Sequence, residues 1–375
     1  MHRDSGRVVA HCATPFLPET GSWIYNQIRW LQRWQPIVLT QEWRNRDQFP
    51  VPRLRTAETL SLTRTLANRA VRKLTGEYPF YGHLLEEEGA RVIHAHFGYQ
   101  GCRCLRAQRS SGLPMITSFY GADANSYARQ PYWQRRYRQL FDRGAFFLVE
   151  GAAMAQRLQD IGCPEDRMRI HHLGIELPEA IRELPDPERE VRVLMCGAFR
   201  PKKGFPAGIR ALGRVAEGVP NLRLTLIGDG PERPRVEEAL RDSGLSARVD
   251  RLGFVPHAEV INQLSCSHIL LVPSRTAEDG DSEGGAPVIL LDAQSLGVPV
   301  VATRHADIPE YVVDGESGLL AEEGDETDLT RRLEEMLTRP QDWIKMGRRG
   351  RRHVAEEYEA SSQCRGLEEI YDGVS

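Results

Sequence analysis

What most narrows the fold of this chain is a rhythm. Short aliphatic runs alternate with amphipathic helical stretches along its length, and the alternation pauses once, over Glu183-Leu-Pro-Asp-Pro-Glu-Arg-Glu190, before it restarts. In the first half, Val8–Ala10, Pro36–Leu39, Arg91–Ala95, Met115–Thr117 and Ala145–Val149 read as strands. Trp23–Trp34 reads as a helix with Ile24, Ile28 and Leu31 on one face. The pause is charged, carries two prolines and shows no periodicity, so it reads as an interdomain linker. After it come strands over Val191–Cys196, Leu222–Ile227, Arg248–Leu252, His268–Val272 and Pro299–Ala302. Helices are expected between them over Pro206–Ala216, Glu232–Arg241, Ala258–Leu264 and Pro287–Leu296, then over Asp328–Leu337 and about Trp343–Tyr371. Apolar runs joined by crossover helices predict parallel sheets covered on both faces. The expected class is therefore α/β: two doubly wound, Rossmann-like domains, 1–182 and 191–355, facing one another across a cleft.

The 375 residues suit two domains, and 41% hydrophobic with 27% charged residues is an ordinary globular mixture. No apolar run approaches the ~20 residues of a membrane-spanning helix, and Met1-His2-Arg3-Asp4-Ser5 leads into a strand without a signal-peptide core, so a cytoplasmic protein is expected. Seven scattered cysteines, with Cys102 and Cys104 too close for a zinc knuckle, predict neither a disulfide framework nor a structural metal. The net charge of −3 hides an asymmetry. Residues 1–183 hold 25 basic against 18 acidic side chains, and residues 184–375 hold 24 against 34. The excess in the first half is too small to argue for nucleic acid. Only four of the 49 basic residues are lysines, and two of these are Lys202 and Lys203.

That pair lies in Cys196-Gly197-Ala198-Phe199-Arg200-Pro201-Lys202-Lys203-Gly204, between a strand and a helix. Glycines permit a tight turn there, and Arg200 with Lys203 can offer cations to a diphosphate; a solvated turn with incidental charge is the competing reading. Gly228-Asp229-Gly230-Pro231 lacks the third glycine of a dinucleotide fingerprint and reads equally as a plain turn into a helix. Asp279-Gly-Asp-Ser-Glu283-Gly284-Gly285-Ala286-Pro287 runs into Val288–Ala293. Its glycines leave amides uncovered, Pro287 suits a first helical turn, and the helix start suits a diphosphate. Glu283 could accept hydrogen bonds from sugar hydroxyls and Asp292 from a ribose, although carboxylates there also steady a helix with no ligand. In the first half, Pro18-Glu19-Thr20-Gly21-Ser22 bridges a strand and a helix. His94-Ala-His96-Phe97-Gly98 and Ser118-Phe119-Tyr120-Gly121-Ala122-Asp123 each close a strand. His94 and His96 point the same way, but no third ligand stands at useful spacing, and no metal is expected.

In this order the segments resemble the retaining GT-B sugar-nucleotide glycosyltransferases of family 4 (glycosyltransferase group 1), in particular the bacterial exopolysaccharide and lipopolysaccharide type. The resemblance runs from about Pro15 to Leu337 and is strongest over Gly197–Gly204 and Glu283–Thr303, where Gly-Val-Pro-Val-Val-Ala-Thr occupies 297–303. It implies a metal-independent enzyme without a cofactor that moves a sugar from a nucleoside diphosphate sugar, UDP favoured over GDP, to a glycan or lipid-linked acceptor. The donor would lie on the second domain and the acceptor against the first. By the same resemblance Lys203 binds phosphate, Gly253-Phe254-Val255 meets the base, and Gly21 approaches the donor phosphates. Glu283, Gly284, Gly285, Ala286, Pro287 and Asp292 hold the donor together with Gly197 and Arg200. Glu283, Tyr120 and Asp123 would carry the chemistry, and residues 356–375 would return to the first domain.

Three positions depart from the family's pattern. Ala198 stands where an arginine is common, with Arg200 as a substitute. The family's paired glutamates become Glu283 and Asp292, with one extra residue between them. Tyr120 replaces the histidine of the usual His-Gly-x-Asp. A nucleotide-sugar epimerase of the same fold and a non-catalytic sugar-nucleotide-binding protein are the alternatives. The arginines and aromatics of Tyr132–Arg143, with Arg64, Arg69, Arg72 and Lys73, suggest contact with an anionic membrane face, unless they are an ordinary solvated surface.

Overall fold

A computed structural model describes residues 6–18, 21–180 and 183–375. The expectations placed on Met1–Ser5, on Glu19 and Thr20, and on a domain boundary at 182 lie outside the described residues. The chain forms two compact units, Met1–Glu176 with Ala360–Ser375, and Leu177–Glu359. The segment 183–190 thus falls inside the second unit, and the chain re-enters the first unit at 360 rather than 356.

The strands of unit 1 are β1 (Val8–Cys12), β2 (Gln35–Thr40), β3 (Leu54–Thr56), β4 (Ala90–His96), β5 (Met115–Ser118), β6 (Phe146–Val149) and β7 (Met168–Ile170). They form one sheet in the order β3-β2-β1-β4-β5-β6-β7, with every pairing parallel. Side chains alternate between its faces. Val8, Ala10 and Cys12 join one core, and Val9 joins Val92, Ile116, Leu148, Leu367 and Tyr371 in the other. Unit 2 holds β8 (Val191–Cys196), β9 (Leu222–Ile227), β10 (Val249–Gly253), β11 (Ile269–Val272), β12 (Val300–Thr303) and β13 (Gly318–Ala321). Its order is β10-β9-β8-β11-β12-β13, again all parallel. Strand order reverses between β1 and β4 in unit 1 and between β8 and β11 in unit 2. In open α/β sheets ligands bind beyond the carboxyl ends of the strands at such reversals.

Three differences from the expected elements have identifiable causes. Edge strands β3 and β7 are three residues each, too short to show a period, and β13 begins at a glycine. The helix expected over Trp23–Trp34 stops at Arg29. Beyond it the Glu368 carboxylate, 1% exposed, accepts the amides of Gln32, Arg33 and Trp34 at 2.7, 2.6 and 3.0 Å, which replaces helical acceptors with a side chain. The final helical stretch is two helices, Pro340–Glu357 and Ala360–Asp372. Tyr358 leaves the helical region (φ −132°) and donates its hydroxyl to the Glu310 carbonyl at 3.0 Å. The Ala360 amide then bonds the Ile175 carbonyl at 2.9 Å. A Cβ at Gly174 would lie 2.6 Å from the Ala360 Cα, so only glycine admits that approach.

Glu368 therefore ties the last helix to unit 1. E368A is expected to leave the buried Trp34 amide and the part-buried amides of Gln32 and Arg33 without that acceptor and to cost about 1–3 kcal/mol, read as a shift of the urea midpoint; E368Q, which keeps an acceptor oxygen, should lose less.

Candidate donor site in unit 2 and a histidine cluster in unit 1

In unit 2 the loops after β8 and β11, the two strands at the reversal, meet. Pro201–Lys203 makes a 3-10 turn, and Gly204 (φ +65°) ends it in the left-handed region. A Cβ at Gly204 would fall 1.9 Å from the Pro273 carbonyl oxygen, so the two loops pack backbone to backbone. The same distance separates a Cβ at Gly228 from the Gly197 carbonyl. Gly228-Asp229-Gly230 is thus a close approach of β9's loop to the turn after β8, more than a plain lead into a helix.

Both lysines of the rare pair reach the other loop. Lys202 Nζ donates to the Ser282 carbonyl at 2.9 Å and pairs with Asp281 at 3.3 Å. Lys203 Nζ pairs with Glu283 Oε1 at 2.9 Å, and Ser274 Oγ donates to the same oxygen at 2.7 Å. The Glu283 side chain is only 7% exposed. Burial would raise its pKa, but the charges of Lys203 and Lys202, with bonds from Lys203 and Ser274, outweigh it and hold the carboxyl below its usual range. Arg200 stands exposed, and its side chain pairs with none of the described residues.

His305, which no spacing in the sequence marked, fixes this loop from β12. Its Nε2 accepts the Glu283 amide at 3.2 Å and lies 3.2 Å from Ser282 Oγ, while Nδ1 faces Glu323 at 2.8 Å. The expected helix over Pro287–Leu296 begins at Ile289, because Leu290 and Leu291 bond back to Pro287 and Val288 in tight turns. Asp292 consequently sits in the first turn. Gly284 donates its amide to Ser282 Oγ at 3.3 Å. The amides of Gly285 and Ala286 have no partner among the described residues.

Asp292 is committed to a side chain the sequence reading did not use: His257 Nε2 lies 3.1 Å from Oδ2. His257 follows Gly253-Phe254-Val255, where Gly253 (φ +65°) closes β10 and takes the Gly228 amide at 2.8 Å; Phe254 is 66% exposed. The hydrogen bond to Asp292 raises the His257 pKa above 6.5 against a smaller opposing effect of burial. Burial pushes the neighbouring Cys196 thiol up to about 12, so it stays protonated.

In unit 1 Gly21 caps the first helix. Its amide donates to the Pro18 carbonyl at 2.8 Å, and a Cβ would stand 2.8 Å from the Leu17 Cβ. Asp123, expected to face reacting atoms, instead turns its fully buried carboxylate onto the amides of Gly98, Tyr120 and Gly121 at 2.8, 3.1 and 3.0 Å. Burial, opposed by those amides, still raises its pKa. Its place is that of a brace between the turn 120–123 and the helix Gly98–Ser111. The Tyr120 hydroxyl, expected to face the reacting carbon, is likewise engaged, 2.7 Å from His96 Nδ1 and 3.4 Å from Gln27 Nε2.

The third histidine that the sequence reading did not find is His11, one strand over on β1. His11 Nδ1 lies 3.0 Å from His96 Nε2, and His94 lies 2.6 Å from the Tyr371 hydroxyl and 2.8 Å from Ser118 Oγ. The three offer ligand atoms within 4.8 Å of one another. A metal would first have to displace the His11–His96 hydrogen bond. Burial lowers His11 to about 3 and His94 and His96 well below their usual range, so all three are neutral.

The His257–Asp292 pair has a readable titration. His257 is expected to titrate above 6.5 by NMR and to fall below its wild-type value in D292N, since the opposing effect of burial remains. A raised folded-state value means that the pair's stabilisation is complete below about pH 6.5 and is lost as pH rises through the higher value.

The sequence matches two family profiles, one described as Glycosyltransferase Family 4 over residues 20–179 and one as Glycosyl transferases group 1 over 178–353. It is 31% identical over 283 residues to a putative colanic acid biosynthesis glycosyltransferase WcaL of Salmonella typhimurium, covering 74% of this chain and 69% of the relative. It is 30% identical over 286 residues to the amylovoran biosynthesis glycosyltransferase AmsK of Erwinia amylovora, covering 76% and 70%. Among solved structures, Anabaena Alr3699/HepE in complex with UDP and glucose superimposes with a TM-score of 0.78 at 15% identity, covering 97% of this chain and 99% of that one. Sucrose-phosphate synthase of Thermosynechococcus elongatus does so with 0.77 at 16%, covering 98% of each. The shared fold is GT-B, built of two Rossmann-like units. No described helix is long and apolar enough to cross a membrane.

Proposed function

Because the chain belongs to the group 1 glycosyl transferases and is a glycosyltransferase, we propose that it moves a sugar from a nucleoside diphosphate sugar to a glycan or lipid-linked acceptor in exopolysaccharide synthesis. We further propose that it retains the anomeric configuration and needs no metal ion. UDP is the proposed nucleotide. The colanic acid and amylovoran glycosyltransferases among its relatives favour the exopolysaccharide setting.

The observation that carries the reading is the Lys203–Glu283 pair at the reversal of the unit 2 sheet, 2.9 Å apart and largely buried. Without a donor, each group satisfies the other. A diphosphate arriving there offers Lys203 a second anion, while the Gly285 and Ala286 amides donate to its oxygens and Arg200 adds an exposed cation. Groups fixed in this way stabilise charge as it develops on the leaving phosphate, typically the largest part of catalysis. Glu283, still held by Ser274, then accepts hydroxyls of the donor sugar. His257 competes with the ribose for Asp292, and Phe254 and Val255 flank the base.

In the transfer step the acceptor oxygen bonds the anomeric carbon on the face from which the diphosphate leaves. The carbon–phosphate oxygen bond breaks, and the acceptor proton passes to the departing phosphate. Tyr120 and Asp123 enter as positioning residues: Asp123 braces the turn and Tyr120 holds His96.

Nucleotide release from UDP- and GDP-sugars, with and without EDTA, tests this. UDP release that survives EDTA is expected, with kcat/KM lowered about a hundredfold in K203A. K203A alone leaves a buried carboxylate unpaired at a cost of about 3 kcal/mol. K203A/E283Q should therefore recover stability without recovering transfer. Strict dependence on a divalent ion overturns the metal-free reading, and transfer indifferent to K203A overturns the role given to Lys203. An inverted anomeric signal in the product NMR spectrum overturns retention.

A further inference from the structure

The helix Leu62–Thr75 is anchored to unit 1 through one buried residue, Asn68, whose amide donates to Gln41 Oε1 at 2.7 Å. Its other side carries Leu62, Leu66 and Leu74, which are 76%, 57% and 85% exposed. At about 100° per residue the three leucines share one broad face of the helix; Arg69 lies beside Leu62 and Lys73 between Leu62 and Leu66, so cations and leucines interleave there. At the helix's end opens a cavity of about 360 Å³ lined by Arg69, Arg72, Lys73, Gly76, Tyr78 and Arg103.

Four cations line that cavity and no carboxylate does. None of the four forms an ion pair with the described residues. Glu77, adjacent in sequence, is buried and spent on Arg109 and Arg136 at 3.0 and 3.3 Å. Two of the guanidinium groups are nevertheless held in place. Arg103 donates to the Tyr78 hydroxyl at 2.9 Å and lies over the Tyr78 and Tyr99 rings; Arg72 lies over Tyr78 and donates to Gln41 Oε1 at 3.3 Å. Interaction with the helix's carboxyl end accounts for Arg72 and Lys73. It does not account for Arg103, which comes from another helix, or for Arg69 a turn earlier. Tyr132 adds an amphipathic rim: it is 49% exposed, and a Cβ at Gly76 would stand 2.9 Å from its hydroxyl.

We propose that this cavity binds the phosphate of an anionic lipid, with Leu62, Leu66 and Leu74 lying among the acyl or prenyl chains. Four cations with no ion pair among the described residues, two of them held by aromatic rings and two interleaved with exposed leucines, complement an anionic leaflet in charge and in apolar contact. The inference deepens the lipid-linked-acceptor reading and rests on it for its biological setting, but the binding itself needs neither donor nor transfer.

The test is co-sedimentation of the full chain with phosphatidylcholine vesicles, pure or doped with phosphatidylglycerol, at low and high salt. Binding to the doped vesicles alone, weakened by salt, is expected. R69A/K73A removes two exposed cations and should weaken it roughly thirtyfold. L62S/L66S/L74S should also release the protein from vesicles while short-chain, water-soluble phosphatidylglycerol still binds. Equal binding to neutral vesicles, or no effect of R69A/K73A, overturns the proposal. So does a leucine variant that stays on vesicles while inorganic phosphate competes as well as the lipid, which would mark a free-phosphate site. Nucleotide release with a water-soluble acceptor, measured on the same preparations, separates failure here from failure of the donor reading.

Discussion

A buried carboxylate has to be answered by charge and hydrogen bonds, and Glu283 is that carboxylate. Removed from water, it would take up a proton or disrupt its loop unless cations lay within reach. Lys203 and Lys202 supply that charge, Ser274 adds a hydrogen bond, and His305 fixes the amide of the same residue. Those four contacts come from the ends of three neighbouring strands. The pair therefore does more than join two side chains: it sets the relative position of the loops after β8, β11 and β12. Lys202 reinforces it one residue away by holding the Ser282 carbonyl. In a chain that otherwise uses arginine almost throughout, both of these contacts are made by the compact ammonium of a lysine.

The two units solve the reversal of their sheets with different chemistry. Unit 2 concentrates opposite charges and uncovered amides there. Unit 1 places His11, His94 and His96 at the equivalent position, all neutral, with Tyr120, Ser118 and Tyr371 taking their ring nitrogens. Charge that can be redistributed onto an incoming anion belongs to the first arrangement. The second is a packed polar network, and its rigidity rests on hydrogen bonds in a dry interior. Asp123 extends the same logic to the loop beyond β5, where three amides satisfy an acid that forms no ion pair with the described residues.

The sequence carried what is local and periodic. Strands with a clean apolar run, the glycine-rich turns and the unusual Lys202–Lys203 pair were all legible, because propensity and turn chemistry act over a few residues. What escaped it depends on partners distant in the chain. His11 joins His96 across 85 residues, Asp292 meets His257 across 35, and Glu368 ends a helix more than 330 residues earlier. Spacing cannot announce such pairings, since the parallel strand order that creates them is itself a long-range result. The same cause explains Asp123. Its motif reads as a reactive acid in a loop, and only the fold shows that three amides converge on it.

Tyr120 draws these threads together. The family resemblance places a histidine there, and a histidine would add another imidazole to a cluster that already holds three. Burial raises the tyrosine's pKa, so its hydroxyl stays a neutral donor throughout the ordinary pH range. A phenol donating to His96 Nδ1 leaves the His96 proton on Nε2, directed at His11 Nδ1 3.0 Å away, and that in turn puts the His11 proton on Nε2, the one ring nitrogen of the three without a hydrogen-bond partner. Gln27 Nε2 donates to the same hydroxyl at 3.4 Å, which fits a phenol whose own proton goes to His96 and an order of donors that runs from Tyr120 through His96 to His11. The line keeps every imidazole uncharged. It links the turn at 120 to the centre of the sheet without placing a charge in the core.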